Sequence, residues 1–217
     1  MYEIYETKER IIEDNDAVAA RVRAKMKAAG VFFVNLMASP GAGKTTLLKR
    51  TIESLPELKI GVMEADVDSD VDAATLAETG AKVIQLHTGG LCHMDADMTL
   101  RGLERFGTEG LDLVFLENVG NLVCPAEFDV GADLNVMILS VPEGDDKPLK
   151  YPLMFTVSQA ALISKMDVAP VFDFDLDRFR TNIAPFNPDM AVIPLSSVTG
   201  EGFDAWLEYL KGRLSEA

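Results

Sequence analysis

The stretch that most constrains the fold is residues 31–48, VFFVNLMASPGAGKTTLL. Its first seven residues form a continuous apolar run of strand composition, and Lys44-Thr45-Thr46 opens an apolar-periodic segment of helical type. A loop of small residues lies between them. Strand, loop and helix in that order predict a phosphate-binding loop. Gly41, Ala42 and Gly43 let backbone N–H groups approach phosphate oxygens, Lys44 reaches the β and γ oxygens, Thr45 offers a hydroxyl to Mg²⁺, and Thr46 continues the cradle. A triphosphate brings about four negative charges, which N–H donors, a helix N-terminus and a cation must meet together. The pattern G-x-x-x-x-G-K-[ST] places its first glycine at position 38, where this chain has Ala38. The competing reading is a plain turn.

With 217 residues, 48% of them hydrophobic, the chain suits one domain with a full core, or a domain plus a short arm. A formal charge of −15 argues against nonspecific nucleic-acid binding and against adhesion to anionic membranes, since both partners are polyanions. No run reaches the ~18 apolar residues that cross a bilayer. The opening Met1-Tyr2-Glu3-Ile4 lacks a charged-then-apolar signal peptide, so a cytoplasmic location is expected. Two cysteines make no disulfide framework, and each must be core filler, ligand or nucleophile.

Residues 7–29 carry Ile11, Ile12, Ala19, Val22 and Met26 between charges, the pattern of an amphipathic helical arm, with Asn15 or Asp16 capping a second helical stretch. The expected division is therefore an arm over 1–29 and a nucleotide-binding domain over 30–217. Strands are expected at 31–37, 59–65, 82–86, 134–141, from 160, and at 191–195, with a further apolar strand ending at Glu117. Helices are expected at 45–54, 72–79, up to about 184 behind a 173–177 cap, and at 203–214. Alternation of this kind predicts an α/β fold with a mostly parallel sheet flanked by helices.

Asp66, Asp68, Asp70 and Asp72 place a carboxylate at every second position after a strand end. An EF-hand calcium loop would need Gly at 71 and Glu at 77, and the chain has Val71 and Ala77. Ligands of open α/β sheets sit beyond the carboxyl ends of strands, so Asp66 and Asp72 are candidate catalytic and Mg²⁺-side acids in a switch segment. A solvated acidic face is the alternative.

Residues 88–98 read TGGLCHMDADM. Cys92 and His93 on an irregular turn can both aim inward, and thiolate with imidazole suits Zn²⁺, Ni²⁺ or Cu, while a buried packing cysteine is the plain alternative. Asp95 and Asp97 are possible further ligands; His87 reads as a packing histidine. In 111–125, LDLVFLENVGNLVCP, an apolar strand ends in Glu117 with Gly120 three residues on. That matches the loop by which G proteins hold the Mg²⁺ region and donate an N–H to the γ-phosphate, so Glu117 joins Thr45 and Asp66 as a magnesium candidate. Cys124 follows four residues later, and movement of this loop would couple a metal to the nucleotide. Finally, Ser164-Lys165-Met166-Asp167 stands close to the Asn-Lys-x-Asp pattern that reads guanine: Asp167 accepts from N1–H and the 2-amino group, the Lys165 stem lies along the base, and 196–200, beginning at Ser196, fits a loop under it.

Together ASPGAGKTTLL, TGGLCHMDADM, ENVGNLVCPAEFDVGA, PEGDDKPLKYP, SKMD and SSVTGEGF resemble one family, the hydrogenase nickel-incorporation GTPases of HypB type. The resemblance implies a P-loop GTPase that uses GTP with Mg²⁺, binds nickel or zinc through Cys92, His93 and Cys124, and delivers nickel during [NiFe] hydrogenase maturation. It also implies a GTP-linked homodimer, a companion maturation protein or nickel acceptor, and the hydrogenase large-subunit precursor as partners. Many members carry an N-terminal cysteine cluster or histidine-rich tract, and this sequence has neither. Asp97 stands where some members have histidine, and Ser164 where the guanine motif has Asn. The rival readings are a metal-independent small-molecule kinase with its cysteines in the core, and a nucleotide-gated binding module with negligible turnover. The urease nickel GTPases fit less well because their Cys-Pro-His triplet is absent.

Overall fold

The computed structural model of the chain describes residues 7–67 and 70–216; the Met1–Ile4 opening, Asp68 and the side chain of Ile11 lie outside the described residues. Seven strands alternate with helices: β1 Phe32–Ala38, β2 Ile60–Asp66, β3 Lys82–His87, β4 Leu113–Glu117, β5 Leu134–Ser140, β6 Ala160–Ser164 and β7 Ala191–Pro194. They make one sheet in the order β3-β2-β4-β1-β5-β6-β7. Every pairing is parallel, so the sheet is wholly rather than mostly parallel. Parallel strands need crossovers. These are α2 Lys44–Ser54, α3 Val71–Ala77, α4 Ala96–Phe106, the short α5 Cys124–Glu127, α6 Lys147–Lys150 and α7 Pro152–Val157, and then α8 Leu176–Ile183, with α1 Thr7–Ala29 and α9 Phe203–Ser215 at the two ends.

Helices cover both faces, which is why a strand such as FFVNLMA is apolar on both faces, save for the buried Asn35, rather than alternating. Val34, Leu36 and Ala38 of β1 face one way, into a core with Leu47 and Leu48 of α2 and Trp206 and Leu210 of α9. Phe33 faces the other way, toward Val22 and Met26 of α1 and Leu103 and Phe106 of α4, and Met37 meets Phe155 of α7 and Phe179 of α8. Burying each such side chain contributes roughly 1.5–3 kcal/mol. The indole N–H of Trp206 donates to Thr51 Oγ1 at 3.0 Å, so this core leaves that donor paired.

The arm is one continuous helix, not two. Asn15, expected to cap a second stretch, is buried and bonds to segments far away in sequence, so its tertiary partners override its local preference for a cap. Arg23 fixes α1 further through a two-pronged ion pair with Asp129. Because all strands run parallel, the loops after β1, β2, β3, β4 and β6 gather at one edge of the sheet.

Candidate nucleotide and metal site

Beyond β1 the chain turns through Gly41 and Gly43, at φ 74° and 99°, and Lys44 begins α2. No side chain caps the first turn of that helix, and no acid lies in it, which leaves its N-terminus open to an anion. Ala38 fits where the motif has glycine because it is the last residue of β1, in register with Ile138, and its carbonyl accepts from Asn121 N at 2.8 Å. An extended residue needs no glycine.

Glu117 ends β4 beside this loop. Its Oε1 lies 3.9 Å from Lys44 Nζ and accepts from Thr45 Oγ1 at 3.1 Å. Glu64, Asp72 and Glu117 each bring an oxygen within 4.8 Å of the others. One oxygen of Glu64 and one of Glu117 are buried without a hydrogen-bond partner. Burial and the neighbouring Glu117 push Glu64 up to about 8; burial lifts Glu117 to about 7 against the opposing pull of Lys44. Buried like charges with orphaned oxygens next to a threonine hydroxyl are a donor set for a hard divalent cation, so these residues fit Mg²⁺. The third acid of the cluster differs from the expected one. Glu64 occupies it from mid-strand, whereas Asp66, two residues on, stays outside the cluster and acts on both glutamates through its charge.

The 118–123 loop presses on the phosphate loop: a Cβ on Gly120 would stand 3.1 Å from the Pro40 backbone, so any larger residue would push the two loops a few tenths of an ångström apart. The Ser164–Asp167 segment is tied to the same loop. Ser164 Oγ donates to Ala42 O and Lys165 Nζ to Gly41 O, both at 2.7 Å. Ser164 therefore ties the two loops together, as the asparagine of the guanine motif usually does. Ser196 Oγ donates to Asp167 Oδ1 at 2.6 Å and fixes that carboxylate.

On the far side of the same edge, Cys92, His93 and Cys124 bring their ligand atoms within 4.8 Å of one another. The two sulfurs are 2.8 Å apart, and Cys92 Sγ is 3.9 Å from His93 Nδ1. The His93 ring stacks on Phe128 with centroids 4.1 Å apart. Burial holds the His93 pKa below its ordinary value, and the hydrogen bond from Cys92 with burial holds the Cys124 thiol above its own. Two thiols and an imidazole suit a soft or borderline cation. Asp95 and Asp97 do not join them: Asp95 caps α4 by accepting from Met98 N at 2.8 Å, and Asp97 pairs with Arg101 at 2.6 Å. His87, expected to pack, is exposed at the end of β3.

Two asparagines join the sites. Asn118, next to Glu117, accepts from Met94 N and donates to Asn35 Oδ1, each at 3.2 Å; Asn121 donates to Cys92 O at 3.4 Å while its own N–H reaches Ala38 O. Glu64, Asn118, Asn121 and Phe128 are absent from the sequence-based set. For the three polar residues the signal is polarity inside apolar strands and loops; Phe128 carries none, since its role is a ring contact made only in the fold.

Residues 32–194 match the CobW/HypB/UreG nucleotide-binding domain. The chain belongs to that family. Within it the similarity is to HypB. The chain is 47% identical to the hydrogenase maturation factor HypB of Azotobacter chroococcum mcd 1, over 93% of this chain and 66% of that protein. The crystal structure of HypB from Helicobacter pylori in complex with nickel superposes with a TM-score of 0.88 at 36% identity, covering 94% of this chain and 96% of the other. HypB from Archaeoglobus fulgidus gives 0.86 at 37%, covering 93% and 99%. The chain thus spans 66–72% of the length of several curated HypB relatives. Among the described residues no helix is long and apolar enough to cross a membrane.

Proposed function

We propose that the chain is a GTP-hydrolysing nickel carrier, located in the cytoplasm, that delivers nickel during maturation of [NiFe] hydrogenase. The observation that supports this most is the convergence of Cys92, His93 and Cys124 at the far end of a loop that begins at Glu117 beside Lys44 and Thr45. In this reading the chain divides into an arm over 1–29, helical over its described Thr7–Ala29 part, and a GTPase domain at 30–217.

Gly41 to Thr46 present backbone N–H groups to the phosphates, and Lys44 leaves Glu117 to meet the β and γ oxygens. Thr45, Glu117 and Glu64, with Asp66 nearby, would hold Mg²⁺, which would neutralise charge on the phosphates. Asp66 and Asp72 orient the attacking water. Asp167, fixed by Ser196, reads guanine with the Lys165 stem along the base. Gly120 donates its N–H to the γ-phosphate, and the loop it belongs to carries Asn118, Asn121 and Cys124. A change at the phosphate therefore moves the metal ligands. Nickel, the cargo, is taken up by thiolates, so its affinity falls as pH drops, and Zn²⁺ competes for the same set. The acceptor is a companion maturation protein or the large-subunit precursor, and GTP links two copies into a dimer.

The test is nickel titration of the wild type and Cys124→Ala with and without a nonhydrolysable GTP analogue. The reading expects the wild-type affinity to change with nucleotide and the variant to lose both affinity and that response. Identical binding in all four titrations overturns it.

A further inference from the structure

Behind the sulfur and imidazole group three segments meet: the turn bearing Cys92 and His93, the turn bearing Cys124, and the arm. Asn15 of α1 stands where they join, 8% exposed. Its Oδ1 accepts from Ala96 N at 2.9 Å, and its Nδ2 donates to Asp129 O at 2.9 Å. Ala96 is the first residue of α4, three after His93. Asp129 follows Phe128, the ring on which His93 stacks. One buried amide thus holds both the loop that carries the imidazole and the platform beneath it. Arg23, two turns further along α1, grips the Asp129 carboxylate, which also accepts from Gly131 N at 2.8 Å, so the arm holds this residue by side chain and by carbonyl. On the opposite side, Asn118 and Asn121 tie the 92–94 segment to the nucleotide loops. Asn15 and Arg23 hold this corner from outside the matched 32–194 domain, and Asn15 reaches both loops.

We propose that Asn15 is a positioning residue of the nickel site: through it the arm keeps the His93 loop and the Cys124–Phe128 turn in register, so that docking of α1 sets nickel affinity. The inference rests on the nickel-carrier reading of Cys92, His93 and Cys124. Groups that orient metal ligands without touching the metal ordinarily change affinity when lost, because the ligands must then be organised by the ion itself.

The experiment uses the full chain and NiSO₄ as probe, with the thiolate-to-nickel charge-transfer absorption followed during titration, and GTP affinity and thermal midpoint measured in parallel. Asn15→Ala is expected to weaken nickel binding about 10- to 100-fold and to shift the absorption band, while GTP affinity without nickel stays at the wild-type value. Asn15→Asp keeps the acceptor for Ala96 N–H but loses the donor to Asp129, and should fall between the two; it decides the matter if the alanine variant does not fold. Wild-type nickel affinity and spectrum in a folded variant overturn the proposal. So does a loss of nickel and GTP affinity in equal proportion, which would mark general loosening. A wild type that shows no thiolate band fails the nickel reading itself, and this inference falls with it.

Discussion

Glu64 and Glu117 share a buried corner that is comfortable only when a cation or protons offset their charge. With pKa values of about 8 and about 7, against an ordinary Glu near 4.3, the ligand-free fold holds protons that the unfolded chain has released. Stability of the ligand-free protein should therefore fall as pH rises from about 5 to 8, the sense required when the native state binds more protons. Thermal midpoints across that range check this: the wild type declines, Glu64→Gln declines less, and Mg²⁺ with nucleotide flattens the wild-type curve. A wild-type curve already flat without ligand is the contrary result. At the proposed base site, Ser196→Ala frees the Asp167 carboxylate from a 2.6 Å hydrogen bond, and discrimination of GDP over ADP should drop about tenfold, read by competitive binding, if this bond is worth the ~1.5 kcal/mol typical of a charged acceptor. The phosphate loop and the SKMD segment were legible because each keeps its residues close in sequence; Cys124, 32 residues from Cys92, was legible through the glycine-bearing loop after Glu117 that leads to it. Glu64 was not, since its partners Asp72 and Glu117 come from a helix and from the neighbouring strand.

Elements follow the same division. Strand edges fell within two residues of expectation because an all-parallel sheet buries both faces and leaves long apolar runs. Helix α4 is not among the expected helices because Asp95, which caps it, and Asp97 directly follow Cys92 and His93 and in sequence read equally as metal ligands. The arm was legible as a helix but not as a brace, since nothing local to Asn15 or Arg23 names Asp129. That contact gives a second pH test with the opposite sign. Burial alone would raise the Asp129 pKa, but the Arg23 hydrogen bond, the Gly131 N–H and the Arg23 charge together hold it below the ordinary Asp value. A depressed pKa contributes stability above the unfolded value near 3.9 that disappears as pH falls through the folded value. Protection factors of the α1 amides against hydrogen exchange should therefore drop below about pH 4 by more than those of the sheet, and Asp129→Asn should show the lower α1 protection already at neutral pH. Equal behaviour of α1 and the sheet in both proteins would mean that Arg23 and Asp129 do not hold the arm.

At the scale of the molecule, the sheet order decides which sites can influence each other. β4 lies directly beside β1, so the loop after Glu117 and the phosphate loop are neighbours by construction, and Asn121 bonds to both the end of β1 and the Cys92 loop. The metal group this creates has three side chains from one copy among the described residues and faces outward, flanked by Leu91 and Val123, each 49% exposed. In the proposed GTP-linked dimer, these apolar residues beside the candidate ligands would be covered by a second copy. The chain's charge of −15 opposes that closure, because two such copies repel until salt screens them or bound cations offset the charge. The two terms predict different responses. With a nonhydrolysable GTP analogue and nickel, the dimer fraction of the wild type, measured by light scattering, should rise between low and physiological ionic strength. Val123→Asp should stay monomeric at both, because a carboxylate now sits in the rim and adds to the like charge. Dimers that weaken with salt would mean that ion pairs rather than this apolar rim hold the copies together, and a Val123→Asp protein that still dimerises would place the contact elsewhere on the surface.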